Sequence, residues 1–407
     1  MDFLRFVRAN AAFLFAGVLL AFTSSFGQTY FISVFAGEIM ATFALTDGQW
    51  GGIYTLGTTV SAIVMIQAGG LTDRFRARTL GPAMMGLLAL SCLAMAVVTG
   101  PWMLVAVIFC LRFTGQGMLS HIAMVSMARW FVATRGRALS IASMGNAGGQ
   151  AILPVTFVWL LAQVDWRWLW VIAAGLALLA VPAIAALLRL ERTPATVATE
   201  TEATGLDRRH WTRNEVVRQP LFWLMAPALM GPPAWGTALF FQQVHFAGVK
   251  GWELVDFVAL MPIFIASSVT ATFASGWAID RFGTGPMAMV YMLPFAAAFA
   301  IFAVTDTIAG AAVAFVVMGV GTGMQATLPG AFWAEWFGTR HVGSIKAAGA
   351  AIMVFGTAIG PGISGGLIDL GIDFPDQMWG IAVYFLIAGA TAAVGIRAAR
   401  PRLARAS

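Results

Sequence analysis

The stretch AGGLTDRFRART, residues 68–79, places Asp73, Arg74, Arg76 and Arg78 between two segments that are otherwise almost wholly apolar. Charge of this density requires water, so the chain surfaces here from an apolar medium. A related phrase, SGWAIDRFGTG, returns at residues 275–285, where Gly69, Asp73, Arg74 and Phe75 recur 207 positions later as Gly276, Asp280, Arg281 and Phe282. A second pair of blocks agrees at an offset of 206. FCLRFTGQGMLSHIAMVSMARWF (109–131) aligns with FVVMGVGTGMQATLPGAFWAEWF (315–337) through Phe109, Gly115, Gly117, Met118, Ala128, Trp130 and Phe131. One unit is used twice.

Composition identifies the medium as lipid. Of 407 residues, 59% are hydrophobic and 10% charged, and the mean hydropathy is +0.83. A soluble domain carries about 25% charged residues to face water. The net charge of +6 sits in short basic tufts between apolar runs, the pattern of membrane topology signals rather than of a nucleic-acid partner. Cys92 and Cys110 lie inside apolar runs and form no ligand or disulfide pattern. With no phosphate-binding loop, His/Cys metal spacing or HExxH motif, the sequence predicts no enzyme, no cofactor and no metal site. Gly319-Val320-Gly321-Thr322-Gly323 lies in an apolar run without a βαβ context and reads as close helix packing. Arg5 and Arg8 precede an apolar stretch that runs on to Phe35, which reads as a retained first span rather than a cleaved signal.

A helix needs about 20 apolar residues to cross the hydrocarbon core. Breaking the chain at charges and at Gly-Pro and Pro-Trp pairs gives twelve spans: 11–35, 49–70, 79–99, 102–128, 138–161, 166–188, 220–246, 253–278, 286–304, 308–333, 342–368 and 377–397. The expected fold is an all-α membrane protein of two pseudo-symmetric six-helix halves, 1–188 and 220–407, the second with a short basic tail. The Thr- and Ala-rich polar stretch 189–219 joins them as a linker. All but four of the 24 lysines and arginines fall on one side of this layout. The positive-inside rule puts that side, and both termini, in the cytoplasm of an inner-membrane protein. Arg167 and Lys250 fall on the other side; Arg112 and Lys346 fall within spans. Duplicated six-span halves are typical of secondary transporters, which bind substrate near the bilayer midplane.

The residues Gly69-x-Leu71-x-Asp73-Arg74-Phe75-x-x-Arg78 resemble the signature loop between spans 2 and 3 of the major facilitator superfamily. The match departs at Arg76, where the family has glycine. Arg112-x-x-x-Gln116-Gly117 resembles the family's span-4 motif. Within the superfamily, Gly27-x-x-Tyr30-x-x-Ser33-Val34-Phe35 is similar to span 1 of the oxalate–formate exchangers and monocarboxylate transporters. Trp130-Phe131 with Arg135-Gly136-x-Ala138 is similar to their loop between spans 4 and 5. Two departures are visible: Thr29 aligns with a lysine of the monocarboxylate transporters, and residues 257–278 lack the span-8 arginine of both groups. The resemblance implies alternating access between two halves. It assigns Gly69, Asp73, Arg74, Arg78, Asp280 and Arg281 to a gate at the cytoplasmic ends of the helices.

Arg112 is the sharpest signal within the spans. It lies near mid-membrane, where a cation costs at least about 2.5–3.5 kcal/mol and is expected to face a partner or a watery cavity. Its repeat counterpart is Met318, so the fold itself does not demand a cation there. Lys346 lies about a turn and a half into span 11, placed either to meet substrate or to snorkel to the interface. His121 is a candidate proton carrier or, in its neutral form, a hydrogen-bonded joint between helices. The uncharged polar residues Gln28, Tyr30, Gln116, Asn146, Gln150, Gln242, Gln243 and Gln325 are candidates to line the substrate cavity. Gly356-x-x-x-Gly360-Pro361 reads first as helix packing and second as a hinge.

Intramembrane cations without a mid-span carboxylate point to a secondary transporter of a small organic anion, a mono- or dicarboxylate, and a monomer is expected. It works in the lipid bilayer and is coupled to protons or to a counter-transported anion. The rival readings are a multidrug or other solute exporter of the same superfamily, and a non-transporting receptor-like member.

Overall fold

A computed structural model describes residues 3–131, 134–189 and 204–404. Among these residues every regular element is a helix, as hydrocarbon requires of a backbone that must satisfy its own hydrogen bonds. In chain order span 1 is Ala11–Gly27 with Thr29–Phe43, a pair bent by 49°. Spans 2 to 4 are Asp47–Ala68, Ala77–Ala96 and Pro101–Trp130. Span 5 is Arg135–Leu161, span 6 is Trp166–Leu187, and span 7 is Pro220–Phe241. Spans 8 to 12 are Leu254–Phe282, Thr284–Val304, Ile308–Phe337, Val342–Asp369 and Phe374–Leu403. By length and apolarity nine of these qualify as membrane-crossing on their own, and the bent pair makes a tenth. Spans 5 and 7 have the length but are diluted, the one by Asn146, Gln150 and glycines, the other by Pro227, Pro232 and Pro233.

The chain forms two compact units, Met1–Thr199 and Glu200–Ser407. Within each, the same helices pair: spans 1 with 5, 2 with 4 and 3 with 6 in the first, and 7 with 11, 8 with 10 and 9 with 12 in the second. Spans 2, 3, 4 and 5 begin at Asp47, Ala77, Pro101 and Arg135; spans 8, 9, 10 and 11 begin at Leu254, Thr284, Ile308 and Val342, each 207 positions on. The repeat reaches single residues. Phe35 (φ −92°, ψ 6°) and Gln242 (φ −88°, ψ 14°) interrupt spans 1 and 7 at matching places. The helices that follow, Ala36–Phe43 and Gln243–Lys250, both end on left-handed residues, Ala44 (φ 51°) and Gly251 (φ 68°). Span 1 was expected to stop at 35, where Glu38 interrupts the apolar run. It continues instead to Phe43 because Glu38 lies on an exposed face.

Close packing sets the pairings. A Cβ on Gly149 would stand 2.0 Å from Ser25 Oγ of span 1, and one on its repeat mate Gly356 would stand 2.7 Å from Met230 O of span 7. Gly319 and Gly323 press against Ser267 and Ser268 of span 8, the packing role expected of that glycine run. The two basic residues that break the charge rule have a structural task. Arg167 donates to Ala96 O (2.8 Å) and Val98 O (2.9 Å) at the end of span 3. Lys250 donates to Ala303 O (3.1 Å) and pairs with Asp306 (3.0 Å) at the end of span 9, the equivalent place. Each cation meets the negative end of a helix.

Of the expected linker 189–219, residues 190–203 lie outside the described part, and the residues after them pack on the second unit. Trp211 is buried, its backbone N–H donates to Phe337 O (3.0 Å) and its indole donates to Leu206 O (3.0 Å). Arg209 stacks on its ring at 3.8 Å. Glu215 accepts from the Thr212 N–H and hydroxyl at the start of helix Arg213–Val217, and these bonds, with Arg209 beside them, hold its carboxyl below the usual carboxylate range. Residues 204–217 are thus folded onto the second unit, because a buried tryptophan outweighs the polar composition around it.

Candidate functional site

Two departures from regular helix meet in the first unit. Gln28 is extended (φ −87°, ψ 154°) and breaks span 1. Span 4 contains a π-helical stretch, Arg112–Leu119, between Pro101–Leu111 and Ser120–Trp130. Its repeat counterpart, span 10, is one uninterrupted α-helix. Wide turns of this kind are rare and frequent at functional sites. Gly27 and Gly115 bring the two irregular segments together: a Cβ on Gly27 would stand 2.1 Å from Leu111 O, and one on Gly115 would stand 2.7 Å from Gly27 Cα. No larger residue fits at either place.

Arg112 occupies this junction with 1% of its surface exposed, the one charged side chain in the buried class among the described residues. Its Nη1 donates to Gly27 O (3.1 Å) and Thr29 Oγ1 (3.3 Å). The guanidinium carbon lies 5.4 Å from the centroid of the Tyr54 ring, and the Tyr54 hydroxyl is hydrogen-bonded to Thr29 Oγ1. Among the described residues, Nε and Nη2 have no hydrogen-bond partner although both are buried. These two nitrogens form one edge of the planar fork. The same chain shows what that edge binds: Arg402 donates from Nε to Asp207 Oδ1 (3.2 Å) and from Nη2 to Asp207 Oδ2. Arg112 presents the same pair of donors without an acceptor, a costly arrangement in a desolvated site.

Around it, the Tyr30 hydroxyl lies 2.8 Å from Asn146 Oδ1 and 2.9 Å from Ser25 Oγ, joining span 1 to span 5. Its one proton serves the amide oxygen, and the serine hydroxyl supplies the second bond. Gln28 at the break, Gln116 on the π stretch and Gln150 on span 5 are half-buried. Gly27, Thr29 and Tyr54 join this junction although they are not among the expected site residues. Gly27 stood in the span-1 resemblance as a glycine only, and nothing in the sequence singles out Tyr54.

Other expected residues lie elsewhere. His121 is not with Arg112. Nine residues further along span 4, it stands 3.5 Å from Thr72 Oγ1 and beside Gly69, against the loop that follows span 2. In the second unit, Lys346 is exposed and reaches toward Gly330. Gln242 donates to Ser364 Oγ (3.3 Å), a helix-joining bond. Gln243 is fully buried. Gln325 buries its amide without a hydrogen-bond partner among the described residues.

The loop itself forms one helical turn, Leu71–Arg74. Arg74 and Arg78 are exposed, while the side chain of Asp73 lies outside the described part. Arg129, at the end of span 4, donates to Thr72 O and ties the loop down. Its counterpart at offset 206 is Glu335, which accepts from Thr284 N–H (3.0 Å) at the start of span 9. The sign is inverted, and each side chain meets the backbone group of opposite polarity. Asp280 is exposed, and Arg281 stacks against Trp277 and Phe282, 5.7 Å from each ring centroid.

A sequence model of the Major Facilitator Superfamily matches residues 17–328 and 263–406. Solved structures with the same fold include a bacterial homolog of the human lysosomal transporter Spinster, inward-facing and unoccupied. It is 17% identical with a TM-score of 0.70, over 97% of this chain and 98% of that one. The nucleoside transporter NupG is 15% identical with a TM-score of 0.67, over 96% and 98%. No curated protein sequence matches the chain. The chain belongs to the major facilitator superfamily, whose members are multi-pass membrane transporters.

Proposed function

We propose that this member of the superfamily is a secondary active transporter of a small organic anion, a mono- or dicarboxylate, held through its carboxylate by the Nε–Nη2 edge of Arg112. The observation that carries this reading is the buried, unpaired edge itself. A guanidinium is always charged and its fork matches two carboxylate oxygens. A carboxylate entering from water supplies the acceptor that the described protein does not. The span-1 and span-4/5 likeness to oxalate–formate exchangers and monocarboxylate transporters supports the same chemistry. Coupling is by exchange or by proton co-transport across the inner membrane, with both termini cytoplasmic. The loop carrying Gly69, Asp73, Arg74 and Arg78, anchored by Arg129, acts as the cytoplasmic gating element of the first unit, and Asp280 and Arg281 act as that of the second. Lys346 is a candidate anion contact of the second unit.

The test is binding to purified protein, read as thermal stabilisation by acetate, lactate, oxalate and succinate, since a ligand of the native state stabilises by RT ln(1 + [L]/Kd). At least one of the four is expected to stabilise the wild type. Arg112→Lys keeps the charge but loses the fork and is expected to weaken that binding. Arg112→Gln is expected to lose more than about tenfold in affinity, as removal of a desolvated charged partner does. Wild-type binding by Arg112→Gln would overturn the anion reading.

A further inference from the structure

Resting on that reading of Arg112, we infer that Thr29 and Tyr54 are positioning residues, which fix the guanidinium so that its Nε–Nη2 edge stays unoccupied until substrate arrives. Nη1 carries two hydrogens. Gly27 O takes one and Thr29 Oγ1 the other. The guanidinium is planar, so satisfying both hydrogens of one nitrogen sets the direction of the opposite edge. Thr29 is itself held. Its hydroxyl is bonded to Tyr54 OH, its carbonyl accepts from Ser33 Oγ (2.7 Å), and only 7% of its surface is exposed. The fully buried Tyr54 ring then lies against the guanidinium and closes the triangle. Three spans contribute one member each: Thr29 from span 1, Tyr54 from span 2 and Arg112 from span 4.

The triangle acts on affinity. Without the hydroxyl at position 29, an Nη1 hydrogen loses its acceptor. The guanidinium is then free to turn and present an Nε or Nη2 hydrogen to Gly27 O, which consumes the edge that substrate needs. Binding weakens, while the steps that follow binding do not involve Thr29. Tyr54 acts one bond further away, so losing its hydroxyl matters less than losing that of Thr29.

The experiment uses the full chain and whichever of acetate, lactate, oxalate and succinate binds it best. Thr29→Val keeps the shape and removes the oxygen. It is expected to raise the dissociation constant and the half-saturation concentration for exchange about tenfold, the scale of a hydrogen bond to a charged group, with the maximal exchange rate unchanged. Thr29→Ser is expected to behave as wild type, and Tyr54→Phe to weaken binding a few-fold. In an Arg112→Gln background, Thr29→Val is expected to cause no further loss, because it acts through Arg112. Should Thr29→Val bind as wild type while Arg112→Gln loses binding, the positioning role falls and the transport reading stands. Thr29→Ser as weak as Thr29→Val would assign the effect to packing and overturn the inference as well. Retained binding by Arg112→Gln would strike the functional reading instead. Should Thr29→Val not fold, Tyr54→Phe with wild-type affinity overturns the inference alone.

Discussion

Gly27 and Gly115 set the surroundings of Arg112. Their close approach lets the carbonyl of Gly27 and the hydroxyl of Thr29 reach Nη1 across two spans. Gly27→Ala would drive a methyl into Leu111 O and Gly115 Cα. We expect a loss of about 1–3 kcal/mol of stability from overpacking together with weakened carboxylate binding, measured by thermal unfolding with and without ligand. A variant unchanged in both would show that the two spans need not approach this closely. Arg112 was legible in the sequence because a cation inside an apolar run has so few explanations. Its partners were not. Thr29 and Tyr54 are ordinary residues for a membrane helix, and they become partners only through a contact between spans that no local pattern announces. The π-helical stretch was hidden for the same reason: it is a shift in backbone hydrogen bonding, not in composition. His121 meets Thr72 and Gly69, neighbours that depth along a helix does not announce.

At the scale of elements, apolar runs and charge breaks located the spans well, and the misses have identifiable causes. Glu38 ended the apolar run of span 1 at 35, yet the helix continues to Phe43 with Glu38 on an exposed face. Trp211 and the Thr212–Glu215 capping pair were visible in the polar stretch, but composition alone reads such a stretch as a linker. The duplicated helix ends offer a direct test. Ala44 and Gly251 stop equivalent helices in the left-handed conformation, but only the glycine is at ease there. Ala44→Gly is therefore expected to raise stability by about 0.5–1 kcal/mol, after allowing for the greater freedom of glycine in the unfolded chain. A lowered melting temperature would contradict the left-handed assignment. Arg167 and Lys250, exceptions to the charge rule, cap spans 3 and 9 at the same place by different routes. A topology signal and a helix cap compete for the same residue type, and here the cap prevails.

For the whole molecule, the repeat was the most legible feature. An offset of 207 read from two short phrases returns in the starts of four helices, in two interruptions and in two left-handed ends. The halves differ at a few places in the candidate site and the loop beside it. Arg112 stands opposite Met318, a π-helical stretch opposite a regular helix, and Arg129 opposite Glu335. On the proposed reading, a duplicated scaffold that is asymmetric at one buried cation gives the substrate's charged end a single half to bind. The proposed role of this cation is to hold a carboxylate during transport. Its most direct measurement is counterflow in proteoliposomes loaded with the best-bound of the four carboxylates, with the labelled compound outside and the wild type compared with Arg112→Gln. Uptake of label driven by unlabelled compound is expected in the wild type and should vanish in Arg112→Gln protein that inserts and folds normally. Equal counterflow by the two proteins would contradict the account.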